Sequence, residues 1–373
     1  MVEMDQVDIS LCGPQTLAGR YLRSFWQPVF RSCDLLPGRP KPLRILGDEF
    51  TIYRGESGMP YIVGFRCPHR LTQLHTGWVE GETLRCFYHG WRFDGAGTCV
   101  ERPGEKASHD RVSIPGYPTQ EYLGLVFGYF GEGEPPPFVR FKAMEQEGVC
   151  DVTVDVMPVN YFYSLENDAF HFAFTHRDLL PARNLSGVPE VWAEESDWGL
   201  TTFARWPNSA NVGRSHKGMP NVGYIVPAAI LLAKNVGHAL HVSWRVPRDD
   251  DSHVTFRVNL MPMPQADADA LVAARPENYD DRSVIPKYGD AVLAGELRIE
   301  DIADRTHIES IQDYVAQVGQ GSIENRRAER LGRTDASVAL LRKIWRRELT
   351  AFEKGEPLKQ WRLTPDIEPM NSL

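Results

Sequence analysis

Two short loops, each with one cysteine and one histidine, constrain the fold of this chain more than any other feature of its sequence. They are Cys67-Pro-His69 and Cys86-Phe-Tyr-His89, and sixteen residues separate His69 from Cys86. Thiolates and imidazoles bind zinc or iron, but structural zinc sites commonly take two cysteines from one loop. One cysteine and one histidine per loop suit a two-iron cluster with unlike ends. Cys67 and Cys86 would hold one iron, and His69 and His89 the other.

The residues beside these ligands fit the same interpretation. Gly90 would let the backbone approach the cluster sulfurs, and Trp91 would shield the cluster from water. The pattern Cys-x-His, sixteen residues, Cys-x2-His followed by Gly-Trp resembles the Rieske [2Fe–2S] signature. One position departs from it: the family often has glycine where Leu71 stands. This change concerns the packing of the first loop and not the ligands.

Composition narrows the class of protein. The chain has 373 residues, enough for two domains, and a formal net charge of -9 that argues against nucleic-acid or anionic-membrane binding. The most apolar run, residues 223–233, is interrupted by Pro227 and is shorter than the roughly 20 residues of a membrane helix. Six cysteines in a chain of this length do not indicate a disulfide scaffold, and the N-terminus has no signal-peptide pattern. We therefore expect a cytoplasmic protein.

The pattern of elements predicts an α+β chain with a boundary near residue 140. In the first third, "LRILGDEFTIYR" predicts two strands around Gly47, and "GLVFGYFG" predicts a buried strand. An antiparallel β domain over residues 1–140 would end near three consecutive prolines at 135–137. Residues 141–373 mix strand-like and helical runs. The last helix has one apolar face, formed by Val338, Leu341, Ile344, Trp345 and Leu349.

A second candidate metal site lies in "ENDAFHFAFTH". Asp168 and His171 are three residues apart and would share one face of a helix. His171 and His176 are five apart, which is roughly 140° around a regular helix. Both histidines can reach one metal only if the helix ends or bulges between them. Spacing alone leaves open that the two histidines are unrelated.

The segment resembles the mononuclear iron motif of Rieske non-haem iron oxygenase α subunits. That resemblance spans essentially the whole chain and implies an N-terminal Rieske domain followed by a helix-grip catalytic domain. It also implies a two-histidine, one-carboxylate Fe(II) site made by His171, His176 and Asp313, the last within "IQDYVAQVG". Other carboxylates compete for the third position: Asp301, Asp304, Glu309 and Asp335.

The resemblance also gives Asp168 a role. In the family, an aspartate at this position bridges an iron-binding histidine and a Rieske histidine across a subunit interface. Here the two histidines would be His171 and His89 of a neighbouring copy, which implies a head-to-tail homotrimer. No Gly-rich loop opens a helix as a nucleotide site would, so electrons from NAD(P)H are expected through a separate reductase or ferredoxin.

The wider motif surroundings, "CPHR…QLHTGWVEG…CFYHGW…CVERPGE", resemble the phthalate-dioxygenase-like and aromatic O-demethylase branch. That branch implies monooxygenation or oxidative O-demethylation of a methoxylated aromatic or an aromatic acid. Ring dihydroxylation is the alternative, and N-demethylation stays open. Two further classes also stay open: a Rieske electron carrier with a non-catalytic partner-binding domain, and a zinc-stabilised binding module. Arg205, Arg245 or Arg257 could pair with a substrate carboxylate, although structural ion pairs are the commoner role.

Overall fold

The computed structural model describes residues 5–105, 111–232, 235–275 and 279–362; the side chains of 223–238 are outside this description. Contacts among the described residues divide them into two compact units. The first contains Leu11–Arg140 and also Val246–Asp249. The second contains Phe141–Arg245, the residues after Asp249 and those before Leu11. The domain limits 1–140 and 141–373 stay a prediction.

The first unit consists mainly of short antiparallel strands. They form three sheets, ordered β1-β11-β10, β2-β3-β4-β9 and β5-β6-β7-β8. The elements are α1 (Leu17–Arg23), β1 (Gln27–Arg31), β2 (Lys41–Ile45), β3 (Asp48–Arg54), β4 (Pro60–Gly64), β5 (Trp78–Glu80), β6 (Thr83–Arg85), β7 (Arg92–Phe93), β8 (Cys99–Glu101), β9 (Gly116–Tyr117), β10 (Thr119–Tyr122) and β11 (Leu125–Gly128).

Local sequence explains the strands that were predicted here. Leu46 and Gly47 link β2 to β3 with φ angles of 53° and 71°, the left-handed geometry of a two-residue hairpin turn. All four residues of β11 are buried, as expected for an apolar strand in a small core. Both strand predictions are confirmed.

The second unit is built on one seven-stranded sheet, ordered β12-β18-β17-β16-β15-β14-β13. Its elements are β12 (Gly148–Met157), α2 (Tyr161–Glu166), β13 (Glu190–Ser196), β14 (Gly199–Arg205), β15 (Val212–Gly218), β16 (Val222–Leu232), β17 (Asn235–Asp249), β18 (Ser252–Pro262), α3 (Gln265–Ala273), α4 (Val284–Leu293), α5 (Ile308–Val318) and α6 (Ala336–Glu353). The α+β fold class is therefore confirmed: an antiparallel β unit precedes a unit of antiparallel sheet and helices.

The last helix shows why its sequence pattern was informative. All five predicted apolar residues of α6 are buried, and Trp345 is fully buried. The Trp345 ring contacts Phe162 of α2 at a centroid distance of 5.2 Å, and α6 packs against β13 and β14. Each such side chain contributes roughly 1.5–3 kcal/mol by leaving water. This packing fixes the start of α6 close to the second metal site. Across the described ranges, the helices are too short or too polar to span a membrane.

Candidate metal centres

The two cysteine–histidine loops have the same backbone hydrogen bonds. In the first loop, the Cys67 amide donates to the Thr72 carbonyl at 2.9 Å, and the Leu71 amide donates to the Cys67 carbonyl at 2.9 Å. In the second loop, the Cys86 amide donates to the carbonyl five residues later at 2.7 Å. Its carbonyl accepts from the amide four residues later at 3.1 Å. The loops are thus two copies of one turn, each presenting a cysteine and then a histidine.

The fourth residue after each cysteine adopts the left-handed conformation. Gly90 has φ of 75°, and a Cβ there would lie 3.1 Å from Pro103 Cγ. Leu71, at the equivalent position, has φ of 61° with its side chain exposed. A left-handed L-residue costs roughly 1–2 kcal/mol. The departure from the family pattern therefore has a backbone cost in the first loop only.

The four donors of these loops differ in exposure. Cys67 and Cys86 are 1% and 2% exposed and pack in a buried apolar cluster, whereas His69 and His89 are exposed. The two imidazole rings lie 4.5 Å apart by centroid, and the Trp91 ring stacks on His69 at 4.8 Å with an interplanar angle of 5°. Buried sulfur donors and outer nitrogen donors match a cluster with two unlike ends.

The chemistry of the thiols also fits a metal cluster. Burial raises the pKa of the Cys67 thiol to about 11, and the neighbouring Cys86 thiol adds to this rise. A thiolate at such a buried position needs a bound cation in place of its proton. The residues present therefore fit a [2Fe–2S] cluster with Cys67 and Cys86 inside and His69 and His89 outside.

The second candidate site depends on an interrupted helix. α2 ends at Glu166, and Asp168 Oδ1 then accepts a hydrogen bond from the Phe170 amide at 2.9 Å. A short 3₁₀ helix follows and carries His171, and it ends before His176. No regular helix therefore connects the two histidines, which is the condition that their spacing had set.

Three donor atoms converge at this point. The Nε2 atoms of His171 and His176 lie 3.0 Å apart, and each lies 3.4 Å from Oδ1 of Asp313 on α5. In the part of the chain that the structure describes, these three residues are the one group of His, Cys, Asp or Glu whose donor atoms all lie within 4.8 Å of one another, close enough to hold a single metal ion. The competing carboxylates are absent from it. Two imidazoles and one carboxylate are the donor set of a non-haem Fe(II) site with open positions.

Hydrogen bonds orient both imidazoles. His171 Nδ1 contacts the backbone carbonyl of Asp168, and His176 Nδ1 lies 2.8 Å from Oε1 of Gln312. A carbonyl acceptor requires Nδ1–H, which leaves Nε2 as the free ligand atom. The Gln312 amide in turn donates to Oδ1 of Asp178 at 2.8 Å.

Charge at the site favours a cation. Burial would raise the pKa of Asp313, but hydrogen bonds from His171 and His176 hold it well below its usual range. Burial would also lower the pKa of His176, but its hydrogen bond to Asp313 raises it overall. Asp313 is therefore an ionised carboxylate, and a bound metal would replace protons on the imidazoles.

Asp168 lies at this site, but its contacts differ from those expected. Its carboxylate accepts from the Phe170 amide and from the Ser337 hydroxyl at the start of α6. Its contact with His171 is through the backbone carbonyl, because the 3₁₀ turn places the imidazole over the main chain three residues earlier. Its role as an inter-subunit bridge stays a prediction.

A cavity adjoins Asp313. Its lining residues come from strands β12, β17 and β18, from helices α2, α4 and α5, and from Asn167 just after α2. Its polar lining includes Asp155, Asn167, Arg245 and Arg257. Asn167 Nδ2 also donates to Asp313 Oδ1 at 3.1 Å. A substrate in this cavity would lie against the carboxylate that belongs to the metal site.

Sequence reasoning did not identify several residues that act at this site. Gln312 and Ser337 contact the predicted site residues directly, yet neither has a spacing that marks a function. The adjacency of Gln312 to Asp313 was the one available signal. Asp155 reaches the cavity from a strand far from α5 in sequence, so no local pattern could have identified it.

Comparisons with known proteins support the Rieske assignment of the first centre. A model of the Rieske [2Fe-2S] domain matches residues 25–118. The oxygenase subunit of 5,5'-dehydrodivanillate O-demethylase from Sphingobium sp. is 27% identical, over 96% of this chain and 83% of that protein. The oxygenase subunit of phthalate 4,5-dioxygenase from Pseudomonas putida is 27% identical, over 91% and 84%.

A solved structure shares the fold along nearly the whole chain. The terminal oxygenase of carbazole 1,9a-dioxygenase from Novosphingobium sp. KA1 superposes with a TM-score of 0.65 at 19% identity, covering 95% of this chain and 96% of that one. Together these observations define a Rieske-type iron–sulfur oxidoreductase. The chain belongs to the Rieske oxygenase α subunits and is related to the oxygenase subunits of phthalate dioxygenase and dehydrodivanillate O-demethylase.

Proposed function

We propose that this chain is the terminal oxygenase component that uses O2 to oxidise an aromatic substrate, with electrons from a separate NAD(P)H-dependent reductase or ferredoxin. The convergence of His171, His176 and Asp313 beside a cavity, in a chain that also has a Rieske domain, carries this proposal. Three protein donors leave positions on iron for other ligands. The reduced carbazole 1,9a-dioxygenase complex, an oxygenase with its ferredoxin, has a TM-score of 0.62 to this chain and supports the choice of partner.

The chain's own residues would hold and orient the two centres. Cys67 and Cys86 would hold the inner end of the cluster, and His69 and His89 its outer end. When bound, the cluster supplies single electrons and the mononuclear iron supplies O2 activation.

At the mononuclear site, the Asp168 carbonyl and Gln312 Oε1 keep the imidazole protons on Nδ1. Asn167 Nδ2 donates to Asp313 Oδ1 and holds that carboxylate towards the two imidazoles. Fixed donors of this kind need little rearrangement when a metal binds.

We further propose that Asp168 connects the two centres between copies of the chain. A carboxylate has about four acceptor sites, and the Phe170 amide and the Ser337 hydroxyl each occupy one. The remaining sites could accept a hydrogen bond from His89 of a neighbouring copy, an exposed imidazole. Such a bridge requires a closed head-to-tail ring, for which we propose a homotrimer.

For the reaction, we favour monooxygenation, and specifically oxidative O-demethylation of a methoxylated aromatic or an aromatic acid. The dehydrodivanillate O-demethylase relative supports this choice. Ring dihydroxylation is the second candidate. It is supported by relatives named phenoxybenzoate dioxygenase, 28% identical over 93% of this chain, and phthalate 4,5-dioxygenase.

Product detection tests the reaction. The purified protein would receive NADH, O2, a surrogate reductase and a panel of methoxylated and carboxylated aromatics. Formaldehyde formed in step with O2 uptake would support O-demethylation. Hydroxylated or cis-diol product without formaldehyde would move the assignment to ring oxygenation.

Iron content tests the proposed class of protein. An oxygenase of this type holds about three irons per chain, two in the cluster and one at the second site, whereas an electron carrier holds about two. A zinc-stabilised module would contain no acid-labile sulfide and would have no visible colour. A count of about two irons in fully loaded protein would contradict the proposed function.

A further inference from the structure

Arg245 lines the cavity next to Asp313 without a carboxylate partner in the described parts of the chain. Its Nη1 donates to the Ser243 hydroxyl on the same strand, and its Nε is buried with no hydrogen-bond partner. A buried polar group without a partner destabilises the folded chain, and more so when it is charged. The Arg245 side chain is therefore costly as it stands and would gain from an anion.

The other arginine in the cavity wall is already paired with a carboxylate. Arg257 Nη1 lies 2.5 Å from Asp155 Oδ2, and Arg282 Nε lies 2.6 Å from Asp155 Oδ1. One carboxylate thus serves two guanidinium groups. The third arginine that was considered from the sequence, Arg205, pairs with Glu190 at 3.0 Å on the surface. Of the three arginines, Arg245 alone has an unsatisfied guanidinium facing the cavity.

Hydrogen bonds along β17 hold Arg245 in place. His241, Ser243 and Arg245 alternate along the strand and therefore share one face. His241 Nδ1 lies 2.7 Å from Asn259 Oδ1, and its Nε2 lies 3.1 Å from the Ser243 hydroxyl that accepts from Arg245. A chain of hydrogen bonds that starts at Asn259 on β18 thus positions the guanidinium before any ligand binds.

We propose that Arg245 binds the carboxylate of an acidic aromatic substrate and so holds the ring beside Asp313. A guanidinium has up to five donors in a planar fork that matches a carboxylate. A carboxylate bound there would occupy the free Nε. This proposal rests on the proposed function and narrows its substrate to aromatic acids.

The protonation state of the Arg245 guanidinium is compatible with this role. Burial, followed by the charge of Arg257, lowers the pKa of Arg245 to about 10, while the carboxylate of Asp313 opposes this change. Arg245 therefore stays charged at neutral pH. A cation that is partly desolvated before the substrate arrives binds an oxyanion more strongly than a hydrated surface arginine does.

Binding of matched acid and amide probes tests the proposal without turnover. Calorimetry on the metal-loaded protein would compare benzoate with benzamide, 4-methoxybenzoate with its amide, and 3-phenoxybenzoate with its amide. We expect at least one acid to bind wild type about tenfold or more tightly than its amide. Arg245→Gln should weaken the binding of that acid by roughly 10–100-fold and the binding of its amide by less than about threefold. Arg245→Lys should be intermediate, because it keeps the charge but not the fork.

Two variants serve as controls for general charge effects. Arg205→Gln removes a surface cation, and Lys217→Met removes a cation from β15 whose Nζ is buried without a hydrogen-bond partner. Both should keep the acid preference of wild type. If Lys217→Met lowers acid binding as much as Arg245→Gln does, the effect comes from overall charge and the proposed contact is wrong. If every amide binds wild type as tightly as its acid, the proposal is also wrong.

The outcome can be separated from that of the proposed function, because binding needs neither O2 nor a reductase. Turnover of uncharged aromatics with no preference for acids would leave the oxygenase assignment intact and overturn the role of Arg245. Acid binding that depends on Arg245, in a protein with about two irons per chain, would support the anion site and overturn the oxygenase assignment.

Discussion

The two candidate metal centres of this chain are built in opposite ways. All four donors of the Rieske loops lie between Cys67 and His89, in two turns with the same hydrogen bonds. The second site takes two donors from an interrupted helix and the third, Asp313, from a helix much later in the chain. A site made by repeating one turn can be recognised from spacing alone. A site that forms when distant parts of the chain pack together depends on contacts that residue spacing in the sequence does not indicate.

The two centres also differ in what surrounds the donors. The Rieske thiols lie in an apolar cluster and the imidazoles are exposed. At the second site, every donor has a polar neighbour: Gln312, Asn167 or the Asp168 carbonyl. The first arrangement presents one end of a cluster to the outside. The second fixes the direction of each ligand and leaves open positions towards a cavity.

The largest effect is expected from removing one donor at each centre. His171→Ala should lose the mononuclear iron and all turnover but keep the visible spectrum of the cluster. Cys67→Ser should lose the spectrum, because a buried thiolate is replaced by a poor iron ligand. Iron and sulfide analysis with visible spectroscopy would check both variants. Loss of colour in His171→Ala would show that the two centres are not independent.

The bridge between centres is tested by Asp168→Asn. This variant should keep both metal centres but lose turnover, because the amide has one acceptor oxygen where the carboxylate has two. Ser337→Ala is the matched control: it removes one hydrogen bond to Asp168 but keeps the charge. It should cost less than about tenfold in rate, in line with one hydrogen bond. Full activity in Asp168→Asn would rule out the bridge.

A smaller effect is expected from the residue that orients His176. Gln312→Leu removes the acceptor for Nδ1 and should weaken iron binding at the second site by about 10–100-fold, with the cluster unchanged. Competition with a chelator, followed by iron analysis, would measure this change. An unchanged affinity would mean that the Gln312 contact does not support the ligand.

The smallest effects concern the two equivalent turns of the Rieske loops. Gly90→Ala should destabilise its loop by about 1 kcal/mol, because alanine disfavours φ of 75°. Leu71→Gly should instead stabilise its loop by up to about 1 kcal/mol, since it relieves the same geometry. Thermal bleaching of the cluster would report both changes. Shifts of the same sign would show that the loops are not energetically equivalent.

The sequence predicted those parts of the fold whose signals are local. The turn at Leu46 and Gly47 and the buried face of α6 follow from short-range pattern and turn geometry. A break between His171 and His176 was posed as a condition but could not be read from the residues, because apolar side chains continue through this segment. The position of Asp313 depends on how α5 packs. The family resemblance was therefore needed to select Asp313 as the third ligand.

The contacts around the site were the least predictable. Asp168 was expected to reach His171 through its carboxylate, whereas its main-chain carbonyl makes the contact. Which of three arginines faces the cavity unpaired depends on the position of Asp155 on another strand. Such choices depend on side chains that meet only in the folded chain.

The hydrogen bonds of Gln312 have a consequence for communication with the surface. An amide side chain has an acceptor end and a donor end, so it can join His176 to Asp178 in only one direction. Asp178 also pairs with Arg305, and both are partly open to solvent. Two hydrogen bonds therefore separate a buried ligand of the second site from dissolved ions. In Gln312→Glu, a carboxylate would face Asp178, and iron affinity would become sensitive to acidity and to salt.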